Sequence, residues 1–372
     1  MGSTDWIQRD LKPALRFPLL ALGFVALGLG ILAGLSRMGW SVPLPSPSVM
    51  LLHGPLMVSG FFGTVIGLER AVALGQRWAY AGPLLNGTGG LLLLAGISPL
   101  PGALLMSGGA IVLLVATLAA YRRQPAFHTL ILALGAACWG VGNLLWSGGW
   151  ALLFVVPWWM AFLVLTIAGE RLELSRFLPP SPLATRLFGG LTLLLMTGTT
   201  MTLVATDLAW PVVGASFLAF AAWLLKQDVA RRTVRQQGLT RFIAVCLLSG
   251  YAWLAIAGLL LLHPATHLGA GPMYDAALHS LFVGFVFAMV FGHAPIIFPA
   301  VTQLRVPYHP LFYVPLLVLH ISLALRLTGD LMGLDEWRRL GGMANAVALV
   351  LFVLNTVSAI VRGKFTTPAL AR

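Results

Sequence analysis

Long apolar runs, broken by short polar or Pro- and Gly-rich stretches, recur along the chain. Twelve are long enough to cross a bilayer, with centres near Val25, Phe61, Leu91, Val112, Leu134, Ala161, Leu194, Phe217, Leu254, Phe287, Val318 and Leu351. None shows the two-residue alternation of a lipid-facing barrel strand, so the pattern predicts helices, which satisfy every backbone group within the segment. The expected fold is therefore all-α: a polytopic membrane bundle of about twelve transmembrane helices, with residues 1–372 forming a single integral membrane domain. The first run has a basic flank but no clear small-residue cleavage site, and it reads as a retained helix.

Composition agrees with that pattern. At 59% hydrophobic and 9% charged residues, with a mean hydropathy of +0.91, the chain carries too few charges to clothe a soluble surface of its length. Its charges are also unevenly placed. With the N-terminus inside, all of the 23 Lys and Arg except Arg37, Arg326, Arg338 and Arg339 fall on the cytoplasmic side. Both termini are then expected to be cytoplasmic. The net charge of +12 reflects orientation in the lipid bilayer and attraction to anionic lipid, and implies no nucleic-acid partner.

Cys138 and Cys246 lie inside predicted helices and read as small buried residues rather than a disulfide. No CxxC, Walker or dinucleotide-binding motif is present, so any chemistry belongs inside the bundle. Three inner helix ends, "FFGTVIGLERAVAL", "FLVLTIAGERLELS" and "FVFAMVFGHAPIIF", share an apolar run, a glycine and a polar residue: Gly67 with Glu69 and Arg70, Gly169 with Glu170 and Arg171, Gly292 with His293. The recurrence every four helices suggests three four-helix arcs about a common axis, although a polar break after an apolar span is also ordinary interfacial chemistry.

The histidines carry more information. His53 and His279 open the second and tenth spans from the outer side, at matching depth. An ideal α-helix would put His293 about 21 Å below His279 on nearly the same face, too far for one metal to reach both. His320, near mid-span in the eleventh helix, is expected within a turn or two of the depth of His293. Imidazole is a common ligand for iron and copper, and polar groups within a membrane are functional candidates by default. The plainer account is a hydrogen bond to a neighbouring helix, and His128, His263, His267 and His309, at or near span ends, read as interfacial. For His53 and His279 the neighbouring Gly54, Gly60, Gly63 and Gly284 add clearance of the kind a planar macrocycle needs, although glycines also serve helix packing. Met57, one turn from His53, is either a soft axial ligand or core filler.

"HGPLMVSGFFGTVIG" resembles the second-helix signature of the NnrS family, and "DAALHSLFVGFVFAMVFGHAP", from Asp275 to Pro295, is similar to a later segment of that family. The resemblance implies a twelve-helix inner-membrane protein carrying haem and copper that protects bacteria against nitric oxide. The plan also resembles subunit I of haem-copper oxidases, whose four-helix arcs surround their centres. No His-His doublet occurs here, so oxygen reduction with proton pumping does not follow. On this reading His53 and His279 are axial ligands of haem b, with Met57, Gly60 and Gly284 beside it. His293 and His320 then form a second, inner metal site for copper or for a small ligand such as nitric oxide, and a redox partner is expected. The reaction class would be that of an oxidoreductase. The competing classes are a twelve-helix secondary transporter and a structural or assembly subunit without cofactor.

Overall fold

The computed structural model describes residues 10–96, 98–174 and 181–365. Arg9, Arg176 and Arg372, three of the expected cytoplasmic cations, lie outside them, as does Ser175 at the end of the second repeat copy. Among the described residues there is no strand. Ten helices of the described residues are long and apolar enough to cross a membrane: α1 (Pro13–Arg37), α2 (Pro47–Leu74), α4 (Pro99–Arg123), α5 (Phe127–Ser147), α6 (Leu152–Leu174), α8 (Thr206–Gln227), α9 (Gly238–Leu261), α10 (Pro272–Thr302), α11 (Pro310–Met332) and α12 (Asp335–Gly363). Between them run α3 (Ala81–Leu94) and α7 (Pro182–Met201). Every span centre expected from the hydrophobic pattern falls inside one of these helices.

The helix ends follow local chemistry. Gly75 closes α2 at φ +67° and Gly333 closes α11 at φ +67°, left-handed positions that cost glycine nothing. Gln303 ends α10 at φ +60°, a conformation that side chains with a Cβ adopt only at a cost.

By contacts the chain separates into two compact units, so the division does not follow the four-helix spacing of the repeat. The first comprises Met1–Leu174 with Thr199–Val204, and the second Ser175–Gly198 with Ala205–Arg372. In the first unit, α1 packs along α2, α3 on α4, and α5 on α6. The α3 and α4 backbones approach so closely at Gly89 and Gly102 that a Cβ on either would lie 2.8 Å from the other's carbonyl oxygen. Helix α6 is the most deeply buried of the ten spans, with every residue from Val155 to Gly169 inside the protein. In the second unit, α8 meets α9 at Gly214 and Gly258, where a Cβ would lie 2.7–2.8 Å from the opposite carbonyl. Helix α9 packs on α10, and α11 on α12. Lipid gives no hydrophobic reward for bringing helices together, so such glycine contacts, which let dispersion act backbone to backbone, do much of the joining.

Two of the spans change helical type part-way. Residues Leu56–Phe62 of α2 and Ser280–Phe287 of α10 form π-helix, with i to i+5 hydrogen bonds and a wider turn. Each begins within three residues of a histidine, His53 or His279.

Candidate histidine sites

His53 follows a 3-10 turn, Pro47–Leu52, that brings the chain to α2. Its Nδ1 lies 2.7 Å from the carbonyl oxygen of Gly30 on α1. The ring rests on Gly34, where a Cβ would come within 2.9 Å of Cε1 and Nδ1, and a Cβ on Gly30 would come within 2.7 Å of the Met57 sulfur. Gly30 and Gly34 are thus a shelf on α1 that seats both His53 and Met57. Their spacing is the small-xxx-small pattern of helix packing, a legible signal that the histidine reading overlooked.

His279 closes the first α-helical stretch of α10. Its Nδ1 is 2.8 Å from the carbonyl oxygen of Asp275, one turn earlier, and 3.4 Å from that residue's Oδ1. The other carboxylate oxygen accepts from Arg326 Nε at 3.1 Å and Nη2 at 2.7 Å. Beyond it, Asp330 and Arg338 form a further ion pair at 3.0 Å. A carbonyl can only accept, so at both His53 and His279 the Nδ1 donates when the ring is neutral, and Nε2 carries the lone pair. That tautomer is the one found in metal-ligating histidines, whose second nitrogen is held by a carbonyl or carboxylate. The donor chemistry of both residues therefore fits haem iron.

Three of the four glycines do not provide the cradle the sequence suggested; Gly54 has room, with Trp159 3.8 Å from a Cβ placed there. A Cβ on Gly60 would lie 2.9 Å from Ala26 Cβ, one on Gly63 2.2 Å from the Trp139 indole, and one on Gly284 2.4 Å from Trp253. Those gaps are filled by neighbouring side chains within each unit. Behind Gly63 the indole joins a buried polar network of the first unit, with no signal in the sequence. Trp139 Nε1 donates to Ser59 at 3.0 Å, Ser59 donates to Asn143 Oδ1 at 2.8 Å, and Trp159 Nε1 donates to the same oxygen at 2.9 Å. Ser59 belongs to the π-helical turn. The wider turn thus contributes to a satisfied core.

The inner site is corrected on two counts. His293 Nδ1 lies 2.6 Å from the Met289 carbonyl, the same local pattern as His279. His320, expected as its partner, instead accepts from Trp253 Nε1 at 3.0 Å through Nδ1, and its Nε2 bonds Ser249 Oγ at 2.9 Å. With both nitrogens engaged, His320 could ligate a metal only by surrendering one of these bonds, so the pair does not fit copper. The α-helical spacing of His279 and His293 also fails, because the eight π-helical residues between them change both rise and phase.

Of the remaining histidines, three make contacts near helix ends, and His267 Nε2 is buried. His263 Nδ1 accepts from Ala265 N–H and His309 Nδ1 from Leu311 N–H, each capping a 3-10 turn, and His128 lies 4.0 Å from Glu173. Cys138 and Cys246 are buried free thiols. Among the described residues, no three His, Cys, Asp or Glu side chains are grouped to hold a metal ion. A haem, with four ligands from its own porphyrin, asks only two of the protein.

Fold and sites together define an all-helical multi-pass membrane protein in contact with the lipid bilayer. The chain belongs to the family described as Domain of unknown function (DUF8744), whose model matches residues 16–361. No curated protein matches it.

Proposed function

We propose that the protein is a haem-b-binding protein of the bacterial inner membrane, NnrS-like, with twelve crossings in three arcs and both termini cytoplasmic, serving electron transfer in the response to nitric oxide. The observation that carries this reading is the pair of outer-end histidines, each with Nδ1 turned to a backbone carbonyl and each leading into a π-helical turn. Bound haem would supply one-electron redox chemistry. The protein's part would be to hold that group through His53 and His279, two neutral imidazoles that would favour electron transfer over gas binding. Gly30 and Gly34 seat one ring. Asp275, itself held by Arg326, orients the other.

The division of the chain into two compact units also suits a secondary transporter built from two halves. An absorption spectrum of the purified protein separates the two. A Soret band with sharp low-spin features supports the haem reading, and a colourless, well-folded protein from haem-replete cells overturns it.

A further inference from the structure

The second unit has a cleft that the histidines do not use. Gln237, Gly238, Arg241, Val245, Tyr308 and Tyr313 line a cavity of about 350 Å³ where α9 begins and the segment leading into α11 crosses it. It lies at the basic end of the unit, where Arg231, Arg232 and Arg235 precede α9 and Arg305 follows α10. We propose that this cleft binds the phosphodiester headgroup of an anionic membrane lipid.

The lining has the chemistry for it. Arg241 sits in the first turn of α9, where the helix dipole disfavours a cation, and that turn contains no acidic residue. Two buried or half-buried arginines of the unit have carboxylates, Arg326 with Asp275 and Arg338 with Asp330. Arg241 has no carboxylate partner among the described residues, and no acid lines the cleft. A phosphate between Arg241 and the start of α9 would relieve that conflict, since it attracts both the guanidinium and the dipole. The two phenols add hydroxyl donors, and their rings are fixed by Phe242, 5.2 Å from Tyr313 and 6.4 Å from Tyr308 between centroids. Preformed walls of this kind lower the cost of ordering a ligand.

The surroundings favour a lipid over a free anion. Val245 forms an apolar wall of the cleft. On α11, beginning two residues before Tyr313, Leu311, Val314, Leu317 and Ile321 are between 46% and 61% exposed and fall on one side of the helix. That stripe gives an acyl chain a path away from the headgroup. Basic pockets between helices at the cytoplasmic surface are suited to acidic headgroups.

The test uses the full chain, stripped of lipid in detergent and titrated with dioctanoyl phosphatidylglycerol under native mass spectrometry. Dioctanoyl phosphatidylcholine and inorganic phosphate serve as the other arms. One phosphatidylglycerol should be retained under activation that removes phosphatidylcholine, and Arg241→Gln should lower that retention by about tenfold. The Tyr308→Phe/Tyr313→Phe double variant keeps the ring packing and should weaken retention severalfold even where the arginine variant folds poorly. Arg235→Gln, in the same basic segment but outside the cleft, should leave it unchanged. Equal retention of the two lipids, or an unaltered pair of variants, overturns the proposal. Inorganic phosphate that binds alone and displaces the lipid overturns it in favour of a free-anion site.

Discussion

The histidines that precede the two π-helical turns reach the same tautomer by different physics. His53 is held by another helix: a carbonyl of α1 accepts from its Nδ1, and two glycines of α1 make room for its ring. His279 is held by its own helix and by charge, through the Asp275 carbonyl and a carboxylate that Arg326 fixes in place. One anchor depends on shape and the other on electrostatics. The contrast teaches that a histidine at a given depth in a membrane helix says little about how its ring is aimed.

The variants that bear most heavily on this comparison remove the rings themselves. On the proposed haem reading, His53→Ala and His279→Ala should each abolish the low-spin spectrum or leave a five-coordinate high-spin form, because one imidazole binds only one face of the iron. His263→Ala, which removes only a capping acceptor, is the control and should leave the spectrum unchanged. A low-spin spectrum that survives His53→Ala but is lost in His263→Ala would move the ligand to the outer loop.

Next in size is the charge anchor. Arg326 is 8% exposed at its side chain and Asp275 24%, so Arg326→Gln strands a half-buried carboxylate and should cost about 3 kcal/mol in a detergent melt. The imidazole nitrogen resonances of His279 should shift in the apo protein, while those of His53 stay in place. Movement of both sets would show that the anchors are not independent.

The shape anchor is expected to respond less in stability and just as selectively. Gly34→Val pushes carbon into the His53 ring and should cost about 2 kcal/mol, with His53 resonances displaced and those of His279 unaffected. Smallest of all is Ser59→Ala in the π-helical turn of α2. It leaves Asn143 Oδ1 with Trp159 but takes the acceptor from the buried Trp139 N–H, and should cost about 1 kcal/mol without moving His53. A loss of haem in that variant would mean that the π-helical turn itself positions the ring.

The amino-acid sequence by itself determined the helices and placed His53 and His279 near the starts of two of them. Both follow from a local rule, that a backbone in lipid must bond to itself along each apolar run, so the span centres from Val25 to Leu351 could be marked without any knowledge of neighbours. The spacing of Gly30 and Gly34 was open to the same reading, as was Asp275 one turn before His279. Only the tertiary structure decided the partners: that Trp139 fills the gap at Gly63 and Trp253 the gap at Gly284, that Arg326 holds Asp275 from a residue far along the chain, and that Trp253 and Ser249 take both nitrogens of His320. Periodicity reports which face of a helix is apolar, and among spans that are apolar almost all round it leaves the choice of neighbour to side-chain shape and to the hydrogen bonds that bury without cost. The π-helical turns after His53 and His279 belong with the partners, because the local sequence permits α-helix there and packing around Ser59 and Gly284 accompanies the wider turn.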